Sequence, residues 1–272
     1  MSDQGAARMR RVRLHHIQSA KEEGRRLSML TSYDALTAPI FEAAGVDMLL
    51  VGDSLGNVIL GYPGTLNVSV EDMVRATGAV ARSTNRALIV ADLPFGSYQA
   101  SEERAFDTAA DLIRAGAHAV KLEGGAEYAP LVRFLTKGGI PVMGHLGYTP
   151  QSEHALGGPR LQGRGDAGRA LVGDAAALAD AGVFALVLEM VPASLAKTIT
   201  NELAIPTIGI GAGPHCDGQV LVWSDMAGMT DWSPSFARRF GEVGEQLKQA
   251  TTRYVESVQD GSFPGSENTR EQ

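Results

Sequence analysis

Cysteine is all but missing from this sequence: there is 1 in 272 residues, Cys216, so no internal disulfide can form and no cysteine-spaced metal cluster is present. A reducing cytoplasm is the compartment this implies. Aromatic residues are scarce as well, 6% against 44% hydrophobic, so the core has to be assembled from Ala, Val, Leu and Ile. Such a core favours parallel strands with stacked helices over an aromatic-rich β-sandwich. Positive charge is in deficit, with Lys+Arg 24 against Asp+Glu 31 and a formal net charge of -7, which argues against a nucleic-acid partner. No apolar run approaches the roughly 20 residues needed to cross a bilayer, so no membrane partner is expected. The first residues are polar and Arg-clustered, without the apolar segment of a secretory signal.

What the chain does contain is a repeated design. Met48-Leu49-Leu50-Val51 is a continuous apolar run, suited to a strand buried on both faces, and it stops at Gly52-Asp53-Ser54. Comparable runs span 27–31, 87–91, 117–122, 140–144, 183–188, 206–210 and 220–223, separated by helix-forming stretches. Strands alternating with helices in this number predict a single (βα)8 TIM barrel, with an open doubly wound sheet as the alternative. A helix over 12–23 precedes the first strand, either plugging the barrel or lying on its surface. A long helix over 235–259 closes the chain. The expected organisation is a flexible tail over 1–11, a barrel over 12–261 and a polar tail over 262–272. Two long glycine-containing loops, 55–68 and 152–165, fall at the end of the barrel where lids and binding loops occur.

The chemistry sits at the ends of the strands. Asp53, Asp92, Lys121, Glu123, His145 and Glu189 follow or end the second to sixth apolar runs, where barrel enzymes carry their active residues. Any one of them has a structural reading as a turn residue, an ion pair or a hydrogen-bonded core histidine; their recurrence at one lip favours a site. Lys121 and Glu123, two apart on a strand, face the same way. Two aspartates without clustered His or Cys suit a hard divalent ion, most plausibly Mg²⁺. Such an ion can chelate an α-keto acid and stabilise the enolate formed when its neighbouring carbon loses a proton. Lys121 can add positive charge there. Glu189, alone after an apolar strand and with no cation near it in sequence, suits a general base. Gly209-Ile210-Gly211-Ala212-Gly213 lies too late in the chain for a dinucleotide loop and reads better as a tight turn.

At these residues the sequence resembles the ketopantoate hydroxymethyltransferase family. The similarity runs from about 27 to 261 and rests on Val51-Gly52-Asp53-Ser54, Ala91-Asp92-Leu93-Pro94-Phe95, Lys121-Leu122-Glu123-Gly124-Gly125, Gly144-His145-Leu146-Gly147 and Ile208-Gly209-Ile210-Gly211-Ala212-Gly213. The resemblance implies transfer of a one-carbon unit from 5,10-methylenetetrahydrofolate to a 2-keto acid, 3-methyl-2-oxobutanoate. It implies a homodecamer of two stacked pentamers. It also implies Mg²⁺ at Asp53 and Asp92, with Glu123 completing the site directly or through water. By the same resemblance Ser54 and Lys121 hold the keto acid beside Asp53 and Asp92, Glu189 accepts the proton, and His145 lines the pocket.

The loops depart from the family pattern. Pro63-Gly64 stands where an Asp and a hydroxyl residue are common, and Glu153-His154 replaces an apolar–Asn pair. These changes bear on lid closure and folate contacts, while the metal and base positions are intact. Two rivals remain at this level: another Mg²⁺-enolate barrel of the phosphoenolpyruvate mutase and isocitrate lyase type, and a barrel without activity kept as a scaffold.

Overall fold

In the computed structural model, which describes residues 11–270, eight parallel strands close into a barrel in sequence order. They are β1 (Leu27–Thr31), β2 (Met48–Val51), β3 (Leu88–Asp92), β4 (Ala119–Glu123), β5 (Val142–Gly147), β6 (Ala185–Glu189), β7 (Thr207–Ile210) and β8 (Gly218–Leu221). β8 returns to pair with β1, Leu27 opposite Gly218 through Leu30 opposite Leu221, so no sheet edge is left open. Residues up to Leu221 form one compact unit and those from Val222 a second. Most of the expected residues 1–11 lie outside the described residues. Among the described residues no helix is long and apolar enough to cross a membrane.

The barrel interior follows from strand parity. Leu27 and Met29, Met48 and Leu50, Leu88 and Val90, Ala119, Met143, Ala185 and Val187, Ile208 and Ile210, and Val220 belong to one buried cluster. They are alternate residues, as inward-facing positions must be. Val12, Ile17 and Ala20 belong to the same cluster, so the N-terminal helix Leu14–Glu22 plugs the barrel rather than lying on its surface. Continuing the same parity toward the C-terminal ends gives Asp92, Lys121, Glu123, His145 and Glu189.

The sequence boundaries of β3 to β6 need correction in one direction, and that of β8 in the other. β3 to β6 run one to three residues further than their apolar runs, because the parallel ladder pairs backbone and is indifferent to a polar side chain pointing into the mouth. β8 starts earlier than expected. Gly218 sits where a Cβ would come within 2.7 Å of the Leu27 carbonyl and of Ile208, so glycine lets the strand close the barrel there. Trp223, Ser224 and Asp225 then belong to a short helix, Trp223–Ala227. The two long loops contain short helices, Leu55–Val58 and Glu153–Leu156. The last long helix is Val243–Gln259; residues 235–242 stay out of it, with the Phe240 N–H bonded to the Met226 carbonyl instead of a helical partner.

Candidate active site

Asp92 and Lys121 are register partners on β3 and β4, and the Lys121 Nζ lies 3.0 Å from Asp92 Oδ1. Glu123 and His145 are register partners on β4 and β5, with Nδ1 of the ring 3.2 Å from Glu123 Oε1 and 3.3 Å from Lys121 Nζ. The other ring nitrogen, Nε2, lies 3.2 Å from Glu189 Oε2. Glu189 therefore has a cationic neighbour that its position in the sequence did not reveal. The expected common facing of Lys121 and Glu123 holds, with Nζ 4.0 Å from Oε1.

Asp53 does not reach the mouth by parity; a turn brings it there. Its backbone N–H donates to Asp92 Oδ2 at 3.0 Å. Gly52 leaves space in that turn for Ser54: a Cβ there would sit 2.9 Å from Ser54 Oγ and 3.5 Å from Asp92 Oδ2. The Ser54 hydroxyl is 2.8 Å from the Tyr33 hydroxyl, whose proton is held more tightly than usual chiefly by burial.

Gln151 is the residue that the sequence did not single out. It lies in the turn Pro150–Ser152 beyond β5. Its Nε2 donates to Asp53 Oδ2 at 2.8 Å and to the Leu93 carbonyl at 2.9 Å, while its backbone N–H donates to Glu123 Oε2 at 2.9 Å. Its Oε1 accepts from the Tyr98 hydroxyl at 2.9 Å. The loop reaches this position because Gly147, with φ 97°, lets β5 pass against the Glu189 carbonyl, which a side chain at 147 would strike.

The charges do not balance. Asp53, Asp92 and Glu123 are buried with Lys121 and His145, each 4% exposed or less, whereas the Glu189 side chain is 16% exposed. Burial, with the charges of Asp92 and Glu123, pushes the Asp53 carboxyl well above its usual range despite Lys121 and Gln151. Burial also opposes the charge on Glu123, but His145, Lys121 and the Gln151 N–H outweigh it and hold Glu123 low. Burial and Lys121 push His145 down, and the Glu123 and Glu189 carboxylates overcome them to hold it at about 9. Lys121 is burdened by burial yet kept protonated by Asp92, Glu123 and Asp53. Asp92 Oδ1 is buried and, although close to Lys121, makes no aligned hydrogen bond.

Three buried carboxylates crowded at one mouth, with an Asp92 oxygen that lacks an aligned hydrogen bond, fit a site for a divalent cation. Among the described residues no three His, Cys, Asp or Glu side chains form a ready cage. The donor set is therefore two aspartates rather than a closed cage of protein ligands, the pattern that suits Mg²⁺.

The pattern of the family described as ketopantoate hydroxymethyltransferase matches residues 11–266. The chain belongs to the ketopantoate hydroxymethyltransferase family. A 3-methyl-2-oxobutanoate hydroxymethyltransferase of Acidothermus cellulolyticus is 56% identical over 257 residues, covering 94% of this chain and 95% of that protein. Another from Leifsonia xyli subsp. xyli is 53% identical over 262 residues, covering 96% and 95%. Among solved structures, 2,3-dimethylmalate lyase, a PEP mutase/isocitrate lyase superfamily member, superposes with a TM-score of 0.59 at 16% identity, covering 95% of this chain and 92% of that one. The mutase and lyase barrels thus share the fold, while the ketopantoate hydroxymethyltransferase match covers nearly the whole chain and identifies a hydroxymethyl-transferring enzyme. The Gly209–Gly213 run ends β7 and turns beside Ala193, to which a Cβ on Gly213 would come within 2.5 Å.

Proposed function

We propose that the enzyme transfers the one-carbon unit of 5,10-methylenetetrahydrofolate to C3 of 3-methyl-2-oxobutanoate, consuming one water and giving 2-dehydropantoate and tetrahydrofolate, a step toward pantothenate. Asp53 and Asp92 would hold Mg²⁺, with Glu123 joining through water, since its oxygens already engage His145 and the Gln151 N–H. Bound there, Mg²⁺ supplies a Lewis acid for the keto and carboxylate oxygens of the substrate.

The remaining work belongs to side chains. Lys121 offers a buried ammonium to the oxygen on which charge develops. Ser54, oriented by Tyr33, donates to the substrate carboxylate. Glu189 takes the C3 proton; water adds to the methylene carbon as both of its C–N bonds to the folate break, and the enolate carbon attacks the formaldehyde so released, the new alkoxide taking up a proton to give the hydroxymethyl group. His145 fixes the Glu189 carboxylate and faces it with positive charge. Ile59, Leu60, Phe95 and Leu161 are exposed apolar residues on the loops after β2, β3 and β5, suited to a large aromatic co-substrate lying over the mouth.

The observation that carries this reading is the surplus of buried carboxylate beside one ammonium at the barrel mouth. The test is incubation of the chelated, desalted protein with keto acid and methylenetetrahydrofolate, with and without Mg²⁺. The product 2-dehydropantoate should form only when Mg²⁺ is restored, and formation at the full rate without metal would reject the reading.

A homodecamer of two stacked pentamers is proposed with it. The helix Val243–Gln259 has no buried residue and exposes Val243, Leu247, Tyr254, Val255 and Val258, an apolar set suited to another copy of the chain. Sedimentation should give the decamer mass; a monomer would reject it. The lone, buried Cys216 suits a cytoplasmic setting.

A further inference from the structure

We propose that Gln151 is a positioning residue: its side-chain amide and backbone N–H hold the Asp53 and Glu123 carboxylates in the one orientation in which the mouth accepts a divalent cation. This rests on the reading that the cation sits at Asp53 and Asp92.

Asp53 follows β2 and Glu123 ends β4, and Gln151 donates to both: its side chain to Asp53 Oδ2 at 2.8 Å, its backbone to Glu123 Oε2 at 2.9 Å. The residue is buried at 5% exposure, so neither bond competes with bulk water. An amide is the side chain this position demands. It must give one N–H to Asp53 and one to the Leu93 carbonyl, and it must take a hydrogen bond from Tyr98. Turned about, it would set its oxygen against two acceptors. The surroundings therefore fix its orientation.

Tyr98 completes the brace. Its hydroxyl lies 3.0 Å from the Glu123 carbonyl and receives the Glu123 N–H at 3.2 Å. Gln151, Tyr98 and Glu123 thus form one connected set, and Asp53 is tied to it through the Gln151 amide. The position supplies donors without adding charge where carboxylate is already in excess. With Oδ2 taken by Gln151, Asp53 has Oδ1 to offer a cation.

The experiment is Mn²⁺ binding, followed by the EPR signal of free Mn²⁺, to the parent protein and to Gln151→Met. Circular dichroism checks that both are folded at the assay temperature. The dissociation constant should rise about ten- to a hundredfold in the variant, the range expected for one lost hydrogen bond to a charged group. Raising Mg²⁺ should then restore kcat to within a few-fold of the parent. A merely structural role would lower the active fraction, leave the Mn²⁺ constant unchanged and resist rescue by metal. If Gln151→Met does not fold, Gln151→Asn, which keeps the amide one methylene short, is measured by the same criterion. A constant within twofold of the parent in a folded variant overturns the proposal. Absence of Mn²⁺ binding by the parent itself overturns the cation reading beneath it.

Discussion

His145 Nε2 lies 3.2 Å from Glu189 Oε2, while Nδ1 of the same ring lies 3.2 Å from Glu123 Oε1. The ring is clamped between the carboxylate proposed as base and one buried beneath the mouth. Held charged up to about 9, it faces Glu189 with a cation throughout the neutral range.

Glu189→Gln keeps the shape of the side chain and removes its ability to accept a proton. Exchange of the C3 proton of 3-methyl-2-oxobutanoate into D₂O, followed by NMR without folate, should slow by about 10²–10⁴-fold. Mn²⁺ should still bind, since the aspartates are untouched. Exchange at the parental rate would mean that Glu189 is not the base.

Lys121→Met keeps most of the aliphatic stem and deletes the ammonium that faces Asp92. A hydrogen bond to a charged group contributes about 1.5–3 kcal/mol, so keto-acid binding should weaken roughly ten- to a hundredfold. Calorimetric titration in saturating Mg²⁺ reads this directly. An unchanged dissociation constant would make Lys121 a structural partner of Asp92 only.

Gly52→Ala tests the turn that delivers Asp53. The added methyl would meet Ser54 Oγ at 2.9 Å, closer than a Cβ tolerates. Ser54 must then swing away or the turn must open. Keto-acid affinity should fall severalfold in titration while the far-ultraviolet circular dichroism stays that of the parent. Retained affinity would mean that the Ser54 hydroxyl is not needed.

His118 predicts acid sensitivity away from the mouth. Its Nδ1 accepts the Ile89 N–H at 2.9 Å, and burial, then Arg11 and Arg13, lower its pKa to about 4. The folded value lies below the unfolded one, so the neutral ring contributes stability that is fully present above about 6.5 and is lost as pH falls toward 4. Denaturant unfolding should show a loss of roughly 1–3 kcal/mol across that window, allowing for partial exposure. His118→Asn, which retains an acceptor and does not titrate, should flatten the profile; an equal slope would remove His118 as the cause.

The barrel and the cluster at its mouth could be read from the chain because period-two burial and strand-end polarity are local signals. Asp92, Lys121, Glu123, His145 and Glu189 continue the same inward parity as Val90, Ala119, Met143 and Val187. Strand ends were less legible, since backbone pairing carries β4 through Glu123 and β6 through Glu189 after the apolar pattern has stopped. Gln151 was illegible for a different reason. It lies in a loop among Gly, Thr, Pro and Ser, where its polarity is unremarkable, and its partners Asp53 and Leu93 are 98 and 58 residues away. The placement of the C-terminal helix failed where Gly241 and the Phe240–Met226 bond break a pattern of apolar spacing.

The helix Leu14–Glu22, with Ile17 and Ala20 in the barrel cluster, closes the N-terminal end of the barrel and, among the described residues, leaves its C-terminal mouth as the doorway. In the proposed reaction two substrates and two products would share it, the keto acid at its floor beside Asp92 and Lys121 and the folate across the loops above. Traffic through one door imposes a sequence: keto acid first in, tetrahydrofolate first out, 2-dehydropantoate last. Steady-state kinetics should then show 2-dehydropantoate competing with the keto acid alone, and tetrahydrofolate inhibiting noncompetitively against either substrate. A barrel open at both ends would impose no such queue.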